Sequence, residues 1–372
     1  MKIRLPRQEL QDALAAIHLL AGGRTTKPIL ACVKLTASEE QLELCATDGE
    51  AALRMNVPAL TTEEPGETVV AADRFLGIIR ELGDVEILLE VDERQCTIRA
   101  AGGEFKIYVQ AVADFPPVPE FGGDPDLVVE GRALQRMTNL TLYAAARETS
   151  RYAINGVMWN KRDKKLFAVA TDGRRMARAG VALLTSDSAD FEVIVPTKAL
   201  NVFERVFTAA RGADDVNVEI RITPNQLLMR WPGCVLATAL VEGRFPKHED
   251  VIPKESNKDA LLDRAEFYTA VRQASLLTTE DSRAVRLAFG PEKLVISSQS
   301  PEQGEARIEI PVEYQGEPLE IGFNPSFLVD ALRVIPFEQV HIELHESFRP
   351  GVLCGADKND FLYVVMPVSL AP

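Results

Sequence analysis

The chain reads as an α+β protein made of three tandem copies of one domain, and two internal repeats carry that reading. The first repeat pairs "QLELCATDGEAALR" (41–54) with "KLFAVATDGRRMAR" (165–178), each running from alternating apolar residues through ATDG to an apolar residue and Arg, 124 residues apart. The second occurs three times, in "TVVAADRFLGIIREL" (68–82), "VIVPTKALNVFERVF" (193–207) and "EIGFNPSFLVDALRVI" (320–335), at offsets again near 125. A worn third copy of the first repeat, "KLVISSQSPEQGEAR" (293–307), keeps the strand pattern and the final Ala-Arg but loses ATDG. Solenoid units reach roughly 50 residues at most, so repeats of this length are whole domains.

Each copy opens on an apolar stripe at helical spacing: Leu10, Ala13, Leu14 and Ile17; Leu134, Met137 and Thr141; Phe267, Ala270, Val271 and Ala274. These stripes predict helices over 7–21, 132–147 and 263–275. The second repeat supplies a short strand, a cap-like turn and a further helix, over 73–82, 197–211 and 325–335, with stripes such as Leu200, Phe203 and Phe207 or Leu328, Ala331 and Ile335. The rest alternates with period two, as in "VEILLEVDERQCTIRA", and predicts antiparallel strands, with "AAGGEF" (100–105) as a hairpin turn. Proline-bearing joints, "DFPPVPEFGGDPD" and "RFPKHEDVIPK", set the copies at 1–123, 124–251 and 252–372. Two helices on one face of a large antiparallel sheet is the expected domain.

ATDG itself has two readings, catalytic acid or tight turn. Asp-Gly between alternating runs is a strong hairpin signal, because Gly accepts positive φ and Asp bonds the local backbone. An acid duplicated in separate domains also fits structure better than catalysis. A turn alone does not account for Arg174 and Arg175, which follow only the second copy.

Composition narrows the functional classes. Apolar residues make up 46% and charged residues 26%, the range of a globular protein, and no run approaches the roughly 18 apolar residues of a membrane helix. With no apolar signal core at the start, the expected location is the cytoplasm. Cys32, Cys45, Cys96, Cys234 and Cys354 are scattered and form no CxxC pair, so neither a disulfide framework nor a zinc site is expected. His341 and His345, in "HIELH", lie in an alternating stretch and read as two exposed strand histidines on one face. There is no phosphate-binding loop, dinucleotide fingerprint or GxSxG elbow, and binding or scaffolding is favoured over catalysis, with no cofactor and no metal.

The net charge of −14 is unevenly placed. The six expected helices hold twelve basic and eight acidic residues, a net of +4, which leaves −18 for the remainder. Such a chain can present a positive face to a polyanion and repel it elsewhere. Without an aromatic stacking platform or a base-reading set, contact with nucleic acid should be directed at the backbone and independent of sequence.

With these features in view, the full length resembles the bacterial DNA sliding clamps, the beta subunits of DNA polymerase III. The resemblance rests on "GGRTTKPIL", "ADFP", "NGV", "VATDGRRMA", "VIVP", "VEGRFP", "SPEQ", "IGFN" and "YVVMPVSL" in that order. It implies a head-to-tail homodimer in which six copies of the domain close a ring, helices inside and sheets outside, around double-stranded DNA. It implies no catalysis. The partners implied are the DNA polymerase catalytic subunit, the clamp-loader ATPase complex, and repair polymerases and mismatch-repair proteins that dock through short hydrophobic peptides. By the same resemblance the peptide pocket falls on Ile154, Thr171, Gly173, Arg174, Arg175, Met176, Pro246, Val251, Val364, Met366, Pro367, Val368 and Leu370. DNA contact falls on Arg24, Arg80, Arg147, Arg151, Tyr152 and Lys198, and the protomer contact on Arg74, Phe105, Ile107, Leu276, Leu277, Glu302 and Glu305.

The chain departs from the family pattern in places. Asp250 stands where a basic residue often flanks the pocket, and Phe348 where a smaller aliphatic is common. Gly103 and Glu104 replace basic residues expected beside Phe105, and Glu148 sits among the expected phosphate contacts. The rival reading is a monomeric three-domain peptide-binding scaffold that never encircles DNA; it predicts no self-association.

Overall fold

Six helices form where the apolar stripes place them, and antiparallel strands fill the rest. The computed structural model describes residues 1–23, 25–83, 85–100, 102–146, 153–185, 188–209, 215–278, 284–301, 303–358 and 360–370. The first copy holds β1 (Lys2–Pro6), α1 (Arg7–Ala21), β2 (Cys32–Ala37), β3 (Gln41–Thr47), β4 (Ala51–Pro58), β5 (Thr61–Glu64), β6 (Gly66–Ala71), α2 (Ala72–Glu81), β7 (Glu86–Val91), β8 (Gln95–Ala100) and β9 (Gly103–Gln110). The middle copy holds β10 (Leu127–Glu130), α3 (Gly131–Thr141), β11 (Gly156–Arg162), β12 (Lys165–Thr171), β13 (Arg175–Ala182), β14 (Phe191–Pro196), α4 (Thr197–Ala209), β15 (Asn217–Ile222), β16 (Gln226–Trp231) and β17 (Cys234–Ala239). The third holds β18 (Lys258–Asp263), α5 (Arg264–Ser275), β19 (Val285–Phe289), β20 (Lys293–Ser300), β21 (Gly304–Pro311), β22 (Glu313–Gln315), β23 (Leu319–Phe323), α6 (Pro325–Val334), β24 (Gln339–Leu344), β25 (Gly351–Cys354) and β26 (Phe361–Val365).

Local chemistry fixes the helix ends. Asp263 caps α5 by accepting the Glu266 N–H at 2.8 Å, and Asn324 caps α6 by accepting that of Ser326 at 3.0 Å, with Pro325 at its first position. Helix α3 is shorter than expected, giving way at Thr141 to a 3-10 turn over Leu142–Ala144. Thr141 is β-branched and its hydroxyl donates back to the Met137 carbonyl at 2.9 Å, which competes with continued helix. Asp263 flanks α5, and Arg147 and Arg211 lie outside the described residues. The described helices therefore hold ten basic and seven acidic residues, a net of +3, not +4. The histidine reading also changes: β24 ends at Leu344, so His345 lies beyond the strand, while half-buried His341 reaches Asp259 at 3.2 Å.

Contacts divide the chain into two units, Met1–Gln135 with Leu183–Ser188 and Lys198–Leu240, and Arg136–Ala182 with Ala189–Thr197 and Val241–Pro372. The first contains a 13-stranded sheet ordered β10-β15-β16-β17-β4-β3-β2-β6-β9-β8-β7-β1-β5. The second contains a nine-stranded sheet, β14-β11-β12-β13-β26-β25-β24-β18-β22, and a four-stranded one, β21-β20-β19-β23. The strands of the middle copy are thus shared out, β17 pairing β4 of the first copy and β13 pairing β26 of the third.

In the first unit α1 packs on α2 and against β3 and β4; Leu10, Leu14 and Ile17 of the helix and Leu44 and Leu53 of the strands are all buried. Phe203, Phe207 and Trp231 form an aromatic knot there, with ring centroids 5.3 to 6.2 Å apart. In the second unit α5 packs on α6, and Trp159, Phe267, Phe323, Phe361 and Tyr363 are fully buried. Each such side chain contributes about 2–3 kcal/mol by leaving water. All five cysteines are buried and free, each a small apolar filler. No helix among the described residues is long and apolar enough to cross a membrane.

Candidate functional site

The two ATDG stretches are hairpin turns built from the same hydrogen bonds. In the first, the Thr47 hydroxyl donates to the Ala51 carbonyl at 2.8 Å and accepts the Gly49 N–H at 3.1 Å; in the second, Thr171 does the same with Arg175 at 2.7 Å and Gly173 at 3.1 Å. Asp48 accepts the N–H groups of Glu50 and Ala51, both at 2.9 Å, and Asp172 those of Arg174 and Arg175, both at 3.0 Å. Gly49 and Gly173 take φ of 96° and 85°, the left-handed region that glycine enters at no steric cost. Both acids are therefore structural.

The residues after each turn differ. Asp48 uses its second oxygen on Lys198, at the first turn of α4. Burial would raise this carboxyl, but bonds from the Ala51 N–H, Lys198 and the Glu50 N–H outweigh it and hold it below its ordinary value. A depressed folded-state value stabilises the protein above about pH 4 and loses that contribution as pH falls through it. Asp48→Asn should therefore lower the urea midpoint at neutral pH, with the gap to wild type closing as pH falls below the ordinary aspartate range. A gap that stays constant over that range rejects the assignment.

Arg175 is the anchor of the second turn. Its Nε donates to Asp172 at 2.9 Å, Nη1 to Asp330 of α6 at 2.8 Å, and Nη2 to the Tyr143 carbonyl at 2.9 Å, while the guanidinium carbon lies 4.6 Å from the Phe327 ring centroid. Burial works against its charge, and the Asp330 bond with the surrounding acids more than compensates, so its proton is held tighter than usual. These contacts answer why Arg follows only the second ATDG: Arg175 ties the turn to α6. Sequence reasoning missed Asp330, Tyr143 and Phe327, since Asp330 is 155 positions from Arg175.

The second unit gathers most of the expected peptide-pocket residues. Strand β13 lies beside β26, pairing Met176 with Val364 and Arg175 with Val365. Met176 and Val364 form a buried floor with Met158, Val169, Val352 and Leu362, against which Phe245 and Ile252 pack. These two flank the expected Pro246, half-buried, and Val251, exposed. Past β26 the chain forms a strap: the Met366 N–H donates to the Arg174 carbonyl and the Val368 N–H to the Gly322 carbonyl, each at 2.9 Å. Pro367, Val368 and Leu370 are half-buried, whereas Arg174, Gly173 and Met366 are exposed. Thr171 and Ile154 are buried, the Ile154 carbonyl accepting the Ala146 N–H at 2.9 Å. Phe348 is exposed. The floor is apolar, and the rim offers a flexible thioether and a basic group, a combination suited to varied apolar peptides.

The other two residue sets are less complete. Of the DNA set, Arg80 is exposed on α2 and Lys198 is exposed on α4 beside Asp48; Arg24, Arg147, Arg151 and Tyr152 lie outside the described residues, as does Glu148. Arg74, Arg136, Arg205, Arg272 and Arg333 are also exposed on helices whose opposite stripes are buried. Of the protomer set, Arg74, Phe105, Leu276 and Glu305 are exposed and Ile107 and Leu277 half-buried; Glu302 lies outside the described residues. Phe105 and Ile107 lie on β9, whose residues 103–108 pair only β8 among the described residues.

Comparison with known proteins accounts for this arrangement. Profiles of the DNA polymerase III beta subunit match in order, the N-terminal domain over residues 1–119, the central domain over 128–247 and the C-terminal domain over 249–369. The beta sliding clamp of Pseudomonas putida is 33% identical over 371 residues and that of Escherichia coli K12 30%, each covering 100% of both chains. Among solved structures, the DNA polymerase sliding clamp from Bacillus subtilis superimposes with a TM-score of 0.94 at 25% identity. The sliding clamp of Pseudomonas aeruginosa bound to griselimycin does so with a TM-score of 0.93 at 32% identity, and both comparisons cover 100% of each chain. The chain belongs to the family of DNA polymerase III beta subunits, the beta sliding clamps.

Proposed function

We propose that two copies of this chain close head to tail into a ring that encircles duplex DNA and tethers the replicative polymerase, so that one loading event serves many rounds of synthesis. The observation that carries this reading is the charge split: exposed arginines stand on helix after helix while the rest of the chain is strongly acidic. A surface of that kind holds phosphates loosely and without base preference, which permits sliding. A heterologous interface that closes on itself gives a ring and not a filament. Linkage by encirclement needs no tight contact, and tethering raises the effective concentration of the bound enzyme. The ring itself catalyses nothing and works in the cytoplasm on copies divided at 1–123, 124–251 and 252–372.

The pocket over Met176 and Val364 serves, on this reading, as the dock for hydrophobic peptides of the polymerase, the ATP-driven loader, and repair and mismatch-repair proteins. The structure of the Pseudomonas aeruginosa clamp bound to griselimycin supports a ligand-binding role for the fold. Arg24, Arg80, Arg147, Arg151, Tyr152 and Lys198 are the proposed DNA contacts.

Retention on DNA tests the ring. The protein is loaded onto a nicked circular plasmid by its cognate loader, free protein is removed, and the circle is cut once. Retention on the circle at high salt with loss from the linear form is expected. Retention that ignores the cut and fades with salt means binding by charge alone, and defeats the proposal.

A further inference from the structure

The repeat that carries ATDG also carries the sheet around it, so residues on one hairpin have counterparts on the other. Arg54 and Arg178 stand 124 residues apart, facing Cys45 and Val169, which are also 124 apart. Beside them Ala52, Ala237 and Leu228 pair in sequence across β4, β17 and β16, as Met176, Val364 and Val352 do across β13, β26 and β25. The pocket floor of the second unit therefore has a counterpart in the first.

The two floors are covered differently. Over the first lies the proline-rich joint of its own chain, Val118 and Phe121 packing against Ala52, Leu228 and Ala237. The same stretch gives Arg54 its acceptors: Nε donates to the Pro119 carbonyl at 3.1 Å, and Nη2 to the Val118 carbonyl at 2.6 Å and the Glu120 carboxylate at 3.2 Å. Nη1 donates to Glu43 of β3 at 2.7 Å. Arg178 has far less. Phe167 stands 124 residues after Glu43, so a ring centroid 5.9 Å away replaces the acid. Among the described residues the Arg178 side chain makes one hydrogen bond, from Nη2 to the Lys358 carbonyl at 3.3 Å, and its Nε is buried with no partner. Burial holds this guanidinium below its ordinary value, opposed only by the field of exposed Glu249. A half-buried cation so short of acceptors is costly unless something supplies them.

We infer that Arg178 is a specificity-determining residue of the peptide pocket: a docking peptide brings to it the acceptors that the joint brings to Arg54, among them a carboxylate side chain directly before an apolar anchor. The inference rests on the peptide-docking role proposed above and adds to it the charge of the ligand.

The strand geometry puts the cation within reach. Arg178 lies two residues beyond Met176 on β13 and so shares its face, roughly 7 Å further along the strand. A peptide whose anchor sits over Met176 and Val364 therefore brings its neighbouring residue towards the guanidinium. The joint over the first floor shows the spacing, with Glu120 directly before Phe121 and Val118 three positions before it. A guanidinium meets a carboxylate through charge-assisted bonds in one plane, which rewards an acid over its amide. The rim adds selection by position: Glu249 and Asp250 are exposed there and repel acids elsewhere on the peptide, so only an acid that reaches Arg178 is compensated. The first floor offers no second dock, because its own joint already fills it.

Fluorescence anisotropy of the full chain with labelled short peptides, their ends blocked, tests this assignment. Each peptide carries two leucines three positions apart, as Val118 and Phe121 are, with Glu, Gln or Lys directly before the second. Leucine replaces phenylalanine because Met176 and Val364 fill depth that Ala52 and Ala237 leave to Phe121. Wild type should bind the Glu peptide about tenfold tighter than the Gln peptide, the worth of one charge-assisted bond. Arg178→Gln should erase that preference and Arg178→Glu should transfer it to the Lys peptide, with circular dichroism confirming the fold of each variant. The comparison of Glu and Gln peptides on wild type needs no variant at all. Equal binding of those two by wild type, or a preference that survives Arg178→Gln, overturns the assignment and leaves the pocket standing. A wild type that binds none of the three peptides defeats the pocket as well.

Discussion

Replacing Arg175 with alanine should cost the second unit about 3–5 kcal/mol, the loss usual when one partner of a buried ion pair is removed. The side chain is 10% exposed and lies between two carboxylates, one carbonyl and one ring face. Removing it leaves Asp172 and Asp330 without their common cation and withdraws a donor from the Tyr143 carbonyl. Arg175→Lys should recover only part of the loss, since an ammonium cannot reach three acceptors in a fixed plane. Urea unfolding monitored by circular dichroism measures the difference. A change under about 1 kcal/mol, within the range of an exposed ion pair, would mean that the bridge to α6 is ornamental. The arginine ties the second turn to α6; on the proposed peptide-docking role it frames the pocket, and Arg174, exposed beside it, is left to meet a peptide.

On the peptide-docking role proposed for the pocket, Gly322→Val should weaken binding of a short hydrophobic peptide by roughly tenfold to a hundredfold. This follows from overpacking costs of about 1–3 kcal/mol and a factor of ten for each 1.4 kcal/mol. A Cβ at this position would lie 2.7 Å from the Leu370 Cδ2 and 2.8 Å from the Val368 carbonyl oxygen. The corresponding positions in the other copies hold Val69 and Ile194, so a valine suits the strand; it does not suit the strap. Displacing the strap moves Met366 and Leu370 from the pocket while the buried floor stays in place. Calorimetry on wild type and variant reads the effect, with unfolding curves confirming that the sheet survives. Unchanged affinity would show that the strap does not form the pocket wall.

Much of the fold is legible in the sequence because it is written in local periodicities. Helical stripes give all six helices, and Asp-Gly between alternating runs gives both turns. Where reading by stripe fails, a side chain has intervened, as Thr141 does in ending α3 by bonding backwards. The site is legible in a different degree. Met176 and Val364 of the apolar floor are named through the resemblance alone, whereas the anchoring of Arg175 by Asp330 is a contact between distant stretches with no local signature. Gly322 gives no signal of its own, since a lone glycine in a strand names neither its neighbour nor the atom it admits.

The two ATDG turns also bear on ancestry. The same set of side-chain hydrogen bonds, on the same four residue types, recurs 124 residues away, which is what an ancient gene duplication leaves behind. The bonds common to both turns use Thr and Asp side chains, glycine's backbone freedom and main-chain groups of the two residues that follow; the Arg175 side chain adds a bond to Asp172 that the first turn lacks. Mutation could therefore explore those two positions without dismantling it. The first turn carries Glu50 and Ala51; the second carries Arg174 and Arg175, and with them a tie to a distant helix and an exposed cation. Innovation entered at the two positions whose side chains the shared bonds of the loop do not require.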